Sequence, residues 1–239
     1  MQHHDVVWTG EKISAFWDFV SSVESQAQLY FAHLAGNGVA RHIAQTVDLR
    51  RKAVLDFGCG PGHLFPHLVR HAPTHQYFGL DFSAHSIEEL QRKWGRHPQC
   101  LGGAAIEAFP VELNRQFDVI VSCEVIEHLG DEALEQVCDM FSRLLPRGGT
   151  LYLATPNSEN LDNQRVMCPD CGGVFHRWQH MRSWTAASLV RQMARHGFTD
   201  HRTSELVYAG NWTKARVLTG MRRVLRQPMP NLCYVGTRA

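Results

Sequence analysis

Three short strings in the chain carry residue types and spacings suited to chemistry. The first is Val54-Leu55-Asp56-Phe57-Gly58-Cys59-Gly60-Pro61-Gly62. An apolar run passes through an acid into three glycines. Glycine lets a backbone turn sharply and lets a ligand lie against it with no Cβ in the way. In open α/β sheets such ligands sit outside the carboxyl ends of the strands. The spacing is G-x-G-x-G, with His63 after the last glycine. A dinucleotide fingerprint needs G-x-G-x-x-G, so a nicotinamide oxidoreductase is disfavoured. The second string is Ser122-Cys123-Glu124-Val125-Ile126-Glu127-His128-Leu129. Imidazole has an unperturbed pKa of about 6.5 and can take a proton from a hydroxyl, with a carboxylate to orient it. His128 is the candidate base, with Glu124 and Glu127 as its partners and His180 as a further residue closing the site. The third is Cys168-Pro169-Asp170-Cys171-Gly172-Gly173, followed by His176 and His180. The pattern C-x2-C-x4-H-x3-H offers the four sulfur and nitrogen ligands of a closed zinc site. Two other readings stand beside it: a reduced, metal-free cysteine pair, or the thiolates joined by His128 around one ion.

These strings must be held by strands and helices. Residues 52–57 read as a strand ending at the glycines, and Leu64, Phe65, Leu68 and Val69 follow at helical spacing. Residues 76–81 form a second strand closed by Asp81, and Ser83 is placed to cap the helix that reaches Trp94. A third strand is expected over 98–103 and a fourth over 117–122. A helical stripe from Leu134 to Leu145 then breaks at Pro146-Arg147-Gly148-Gly149, before a fifth strand over 150–154. Strands alternating with helices imply a parallel, doubly wound α/β sheet with right-handed crossovers. Two last strands are expected near 199–208 and 232–236, for about seven in all, the last antiparallel. A helix over 185–196 ends at Gly197. Residues 1–50 read as a helical N-terminal cap, either a layer on the sheet or a lid. Residues 156–181 form an insertion rich in Cys, Asn, Pro and Gly within a domain running over 51–239.

The glycine string, with its acid and with Asp81 ending the next strand, resembles motif I of the class I S-adenosylmethionine-dependent methyltransferases, from about Lys52 to the C-terminus. The resemblance implies a Rossmann-like fold and adenosylmethionine as cofactor. It implies that Asp56 orients the loop and the cofactor's amino acid part, and that Gly58, Cys59, Gly60 and Gly62 receive the methionyl part and ribose. Asp81 would bind both ribose hydroxyls, since a carboxylate accepts two bonds well from a vicinal diol. The family often carries an acid near Ala104 that touches adenine. This chain has Gly103-Ala104-Ala105-Ile106 there, so adenine contacts fall to backbone groups, Phe82 and Ile106. Cys59 and Cys123 are expected to pack at the sheet edge beside the cofactor. The Glu-x-x-Glu-His string resembles those of the ubiquinone-biosynthesis O-methyltransferases and of the small-RNA 2′-O-methyltransferases. In the RNA group both Glu and the His hold a divalent metal with a second, later His, which would be His180 here.

Hydrophobic residues make up 44% of the 239 and charged residues 20%, values that permit one sizeable core. The formal net charge of +1 names no partner. Its distribution is uneven: no acid follows Glu205, while Lys214, Arg216, Arg222, Arg223, Arg226 and Arg238 do. Residues 212–227 read as an amphipathic helix with Trp212, Ala215, Leu218, Met221 and Leu225 on one face, a candidate contact for an anionic surface. No run reaches the roughly 18 apolar residues of a membrane span. The first five residues lack an apolar signal core, and seven cysteines in a chain of this size point to a reducing compartment. The expectation is a cytoplasmic enzyme, peripheral at a membrane if the basic helix docks there. A small hydroxylated metabolite is the expected acceptor. An RNA end or a non-catalytic cofactor-binding regulator are the alternatives, and the near-neutral charge disfavours nucleic acid.

Overall fold

The structure is a computed structural model that describes residues 2–72, 76–106 and 113–239. In chain order the elements are β1 (His4–Asp5), α1 (Gly10–Ser22), α2 (Glu24–Ala27), α3 (Phe31–Thr46), β2 (Ala53–Phe57), α4 (Phe65–His71), β3 (Gln76–Asp81), α5 (Ala84–Trp94), β4 (Cys100–Ala105) and β5 (Val119–Cys123). They continue with α6 (Asp131–Leu144), β6 (Thr150–Pro156), β7 (Arg165–Met167), β8 (Gly173–His176), α7 (Ala186–Arg195), β9 (Phe198–Leu206), α8 (Trp212–Val224) and β10 (Asn231–Arg238). A seven-stranded sheet runs in the order β4-β3-β2-β5-β6-β10-β9. Strands β2 to β6 pair in parallel, and β10 is antiparallel to both β6 and β9. The expected doubly wound sheet is present, and its carboxyl edge reverses between β2 and β5, which are paired neighbours.

Each face of the sheet has its own core. One face buries Leu55, Phe57, Ile120 and Leu153 against α6 and α7 through Val137, Phe141, Leu189 and Met193. The other buries Val54, Tyr77, Val121 and Tyr152 against α3, α4 and α5 through Val39, Ile43, Leu68 and Leu90. Helix α3 is therefore part of the main core, and the N-terminal cap is a layer of the domain here. The helices start where the sequence offers caps: Ser83 Oγ accepts from Ser86 N–H, and Thr185 with Ser188 forms a reciprocal capping box.

Two of the expected segments take a more definite form. The insertion over 156–181 holds a β-hairpin, β7 against β8, and β1 adds in parallel to β8 as a small second sheet. The strands of this sheet are two to four residues long, too short for an alternating pattern to show. Helix α8 falls within the expected 212–227, and its apolar residues are only partly covered. Ala215 and Leu218 are half-buried, yet Met221 (55%) and Leu225 (60%) are exposed, as are Val217 (55%) and Val224 (83%). The Trp212 side chain lies outside the described residues.

Candidate active site

Strand β2 ends in a loop that only glycine can follow. Gly58 has φ +75° and Gly60 +51°. A Cβ on Gly58 would come within 2.2 Å of Val125 Cγ2. The Gly58 and Cys59 N–H groups both donate to the Leu80 carbonyl, at 2.7 and 3.0 Å, which locks the loop to the end of β3. Asp81 is tied into the same junction, accepting from Gly60 N–H at 2.7 Å and Ser83 N–H at 2.9 Å. Burial pushes its carboxyl up to about 6 in spite of these bonds. Asp56 lies below the loop, accepting from the Tyr77 hydroxyl at 2.7 Å, with its carboxyl pushed up to about 7 by burial. That bond ties the end of β2 to the neighbouring strand β3.

The second string follows β5. Glu124 sits at φ +56°, a left-handed conformation costly for a residue with a Cβ. Its N–H is held by the Ala154 carbonyl at 2.8 Å. A short 3-10 turn, Ile126–His128, then aims Glu127 and His128 at the sheet's carboxyl edge. Burial, and then Glu127, push the Glu124 carboxyl well up, and burial pushes Glu127 up to about 7. Burial drives His128 down to about 3. Glu124 Oε1, Glu127 Oε1 and His128 Nδ1 are buried polar atoms without a hydrogen-bond partner. Such orphans are costly and point to something that completes them.

The segment after β8 closes over this cluster. Gln179, fully buried, donates from Nε2 to the His128 carbonyl at 2.8 Å and accepts from Trp17 Nε1–H at 3.0 Å. Met181 N–H donates to the Glu127 carbonyl. His180 Nδ1 lies 2.5 Å from Glu159 Oε2, and His176 Nε2 lies 3.4 Å from Glu159 Oε1. The backbone N–H groups of Trp178 and His180 donate to His176 Nδ1, at 3.3 and 3.2 Å. His176 therefore carries its neutral-form proton on Nε2, facing Glu159. The His176 and His180 rings stack at 4.3 Å.

A cavity of about 350 Å³ joins both strings, lined by Gly58, Cys59, Gly60, Phe82, Cys123, Glu124, His128 and His180 and roofed by Trp17 and Tyr30 of the cap. Burial pushes both thiols well above the ordinary range, so Cys59 and Cys123 pack as neutral walls. Gly62 stands behind the loop, against Trp94 and Leu90. Ile106 lines a neighbouring cavity that shares Ile13, Phe82 and Leu129 with the first. Among the described residues, two groups bring three donor atoms within 4.8 Å of one another: Glu127, His128 and His180, and Glu159, His176 and His180. Cys168 and Cys171 belong to neither. The expected zinc set of Cys168, Cys171, His176 and His180 is thus divided: the two imidazoles gather with Glu159, and neither thiol lies within 4.8 Å of all of that group's donors.

A sequence profile of the methyltransferase domain family matches residues 30–203. The chain belongs to the class I S-adenosylmethionine-dependent methyltransferases. It is 28% identical over 196 residues to an uncharacterised methyltransferase of Anoxybacillus flavithermus, covering 76% of this chain and 90% of that protein. It is 29% identical to a malonyl-[acyl-carrier protein] O-methyltransferase of Magnetococcus marinus, covering 58% of this chain and 54% of the relative. It is 30% identical to a ubiquinone biosynthesis O-methyltransferase of Coxiella burnetii, covering 52% of each. The chain spans about half the length of these last two relatives. The fold is similar to that of 1,6-didemethyltoxoflavin-N1-methyltransferase of Burkholderia thailandensis, solved with S-adenosylhomocysteine (TM-score 0.66, 14% identity, 100% of this chain and 93% of the other). It is also similar to magnesium protoporphyrin IX methyltransferase of Synechocystis, solved with the cofactor bound (TM-score 0.61, 15% identity, 99% and 100%). Adenosylmethionine is the methyltransferase's cofactor. The glycine loop and Asp81 meet at the carboxyl ends of the neighbouring strands β2 and β3. Sequence reasoning missed Glu159, Gln179 and Tyr30. Tyr30 stacks over Gly60, its hydroxyl 2.7 Å from Ser21 Oγ.

Proposed function

We propose that this methyltransferase transfers a methyl group to the oxygen of a small hydroxylated molecule bound under Trp17 and Tyr30, with His180 as the base. The observation that carries the reading is the His180–Glu159 pair, which sets His180 on the cavity wall. With Nδ1–H donated to Glu159, His180 keeps its lone pair on Nε2, on a ring that lines the cavity. A carboxylate on the far nitrogen fixes the tautomer and stabilises the imidazolium that forms. His128, the residue first expected in this role, is held far down by burial and accepts a proton poorly at neutral pH. It is the neutral neighbour, its ring centroid 4.8 Å from that of His180.

Adenosylmethionine supplies an electrophilic methyl group on a sulfonium leaving group. Phe82 and Ile106 would offer apolar walls for its adenine, Asp81 would accept from its ribose, and the Gly58–Gly60 backbone would receive its amino acid part. The protein's task is alignment and deprotonation: the roof excludes water, and the acceptor's proton moves to His180 Nε2 as oxygen takes the methyl. The O-methyltransferases among the relatives support oxygen as the acceptor atom, and the polar cluster facing the cavity supports a hydroxylated molecule.

A second reading rests on the orphaned Glu124 Oε1, Glu127 Oε1 and His128 Nδ1. With His180 they would suit a divalent cation, which would lower the pKa of a bound hydroxyl as a Lewis acid. The two readings separate experimentally. Methyl transfer from labelled cofactor to a panel of phenols, catechols and hydroxy acids finds an acceptor. His180→Gln then lowers kcat about 10²–10⁴-fold and Glu159→Gln less, with S-adenosylhomocysteine affinity unchanged. Near-normal turnover in His180→Gln sinks the base role. Loss of turnover with a chelator, restored by metal, moves the reading to the cation.

A further inference from the structure

The methyl-transfer site leaves the Cys168–Cys171 turn unused, and that turn meets the N-terminus of the chain. The turn closes the β7–β8 hairpin: Cys168 N–H donates to the Gly173 carbonyl and Gly172 N–H to the Cys168 carbonyl, both at 2.9 Å. Gly172, at φ +77°, bends the chain so that both thiols are presented together. Gly173 N–H donates toward Cys171 Sγ at 3.4 Å. β1 then pairs with β8, His4 opposite Gly173, with His4 N–H on the Gly172 carbonyl. This register sets an imidazole beside the thiols. A Cβ built on Gly173 would lie 3.3 Å from Cys171 Sγ and 3.8 Å from His4 Nε2. A side chain there would fill the space that the two donors share.

We propose that Cys168, Cys171 and His4 bind one zinc ion, which fastens the N-terminus of the cap to the hairpin. Two thiolates and an imidazole are the donor set of a borderline-soft cation and not of magnesium or calcium, which take oxygen. Strand alternation turns His3 and Asp5 to the opposite face from His4, and Asp5 pairs with Arg165. The three donors are not within 4.8 Å of one another, as those of the two active-site groups are. The exposed His4 ring reaches the ion by rotation of its side chain, and water completes the tetrahedron. The outer strand of the hairpin is weakly anchored, since Arg165, Val166 and Met167 are all exposed. The clip holds the start of the lid: Trp8, four residues beyond His4, packs edge-on against Phe175 of β8 and Phe16 of α1. The inference is independent of which acceptor the enzyme methylates.

The test uses the full chain, stripped of metal and titrated with cobalt and then zinc. One equivalent of cobalt should give the intense near-ultraviolet sulfur-to-metal charge-transfer band, and zinc should displace it. Cys168→Ser/Cys171→Ser should lose both the band and the bound zinc. His4→Ala should weaken zinc by more than the ~10–100-fold cost of losing an outer-shell partner. His176→Ala should keep the band. S-adenosylhomocysteine binding, measured alongside, shows that each variant is folded. Cobalt binding without a thiolate band, zinc that persists in the double cysteine variant, or wild-type affinity in His4→Ala overturns the proposal.

Discussion

Cofactor affinity should depend on pH through Asp81. Its carboxyl is held at about 6 by burial in the ligand-free protein, above an ordinary value near 3.8. A group raised in this way contributes stability that is present below about pH 4 and is lost as pH rises through 6. At neutral pH the buried carboxylate is therefore a cost, up to about 3 kcal/mol at 1.36 kcal/mol per pKa unit. Two ribose hydroxyls donating to it favour the charged form and return its pKa toward the ordinary value. Binding must then release a proton between pH 4 and 6. With a free pKa of about 6 and a bound pKa of about 4, affinity at pH 5 falls ~10-fold below its neutral plateau. Calorimetry with S-adenosylhomocysteine, in buffers of different ionisation enthalpy, reads both the affinity and the proton count. The expected result is close to one proton released at pH 5 and almost none at pH 7.5. Asp81→Asn should abolish the release while the other buried acids, Asp56 and Glu127, remain. Affinity that is flat from pH 5 to 7.5, or proton release that survives in Asp81→Asn, refutes the diol assignment and its electrostatics.

Gln179→Ala should destabilise the fold by about 1–3 kcal/mol, because it leaves Trp17 Nε1–H and the His128 carbonyl unpaired in a dry interior; chemical denaturation measures it, and a change below about 0.5 kcal/mol contradicts the role. Gly58→Ala drives a methyl group into Val125 from a left-handed backbone and should abolish S-adenosylhomocysteine binding even where circular dichroism shows a folded chain. The exposed apolar residues of α8, flanked by Lys214, Arg222, Arg223 and Arg226, should dock on vesicles rich in anionic lipid. Flotation should be strong at low salt and lost in Val224→Glu/Leu225→Glu, and failure to float at low salt removes the membrane contact.

What was legible in the sequence was local. Asp56, Gly58 and Gly60 announce themselves because one loop must turn where a ligand lies, and the turn needs glycine at fixed spacing. Asp81 follows from the next strand's end, and β10 from an apolar run after a helix. The residues that escaped are those whose meaning depends on contacts across the chain. Glu159 is 21 residues from His180, in an Asn-rich loop, and no spacing joins them. Gln179 at φ +60° is an unremarkable amide until Trp17 and His128 are seen on either side. His176 and His180 kept a plausible zinc spacing, yet spacing says nothing about which nitrogen is free. Two backbone N–H groups on His176 Nδ1 decide that, and they exist only in the fold.

The same contacts give the cap its meaning. Helix α3 buries aliphatic residues such as Val39 and Ile43 against the sheet. Helix α1 does otherwise. Trp17 spends its N–H on Gln179 and lays its ring edge-on against His128, centroids 4.9 Å apart. Asp18, one residue on, accepts from Ser83 Oγ at 2.6 Å, beside Asp81. Ser21 bonds both Tyr30 and Ser86. One helix face thus touches the cofactor acid's loop, the glycine-loop roof and the histidine cluster together. Any motion that opens α1 must break bonds to all three, so on the proposed reading entry of cofactor and acceptor would be coupled to the geometry of the base. Opening therefore admits water and loosens the cluster in one step, which ties water exclusion and base alignment to the same closed state.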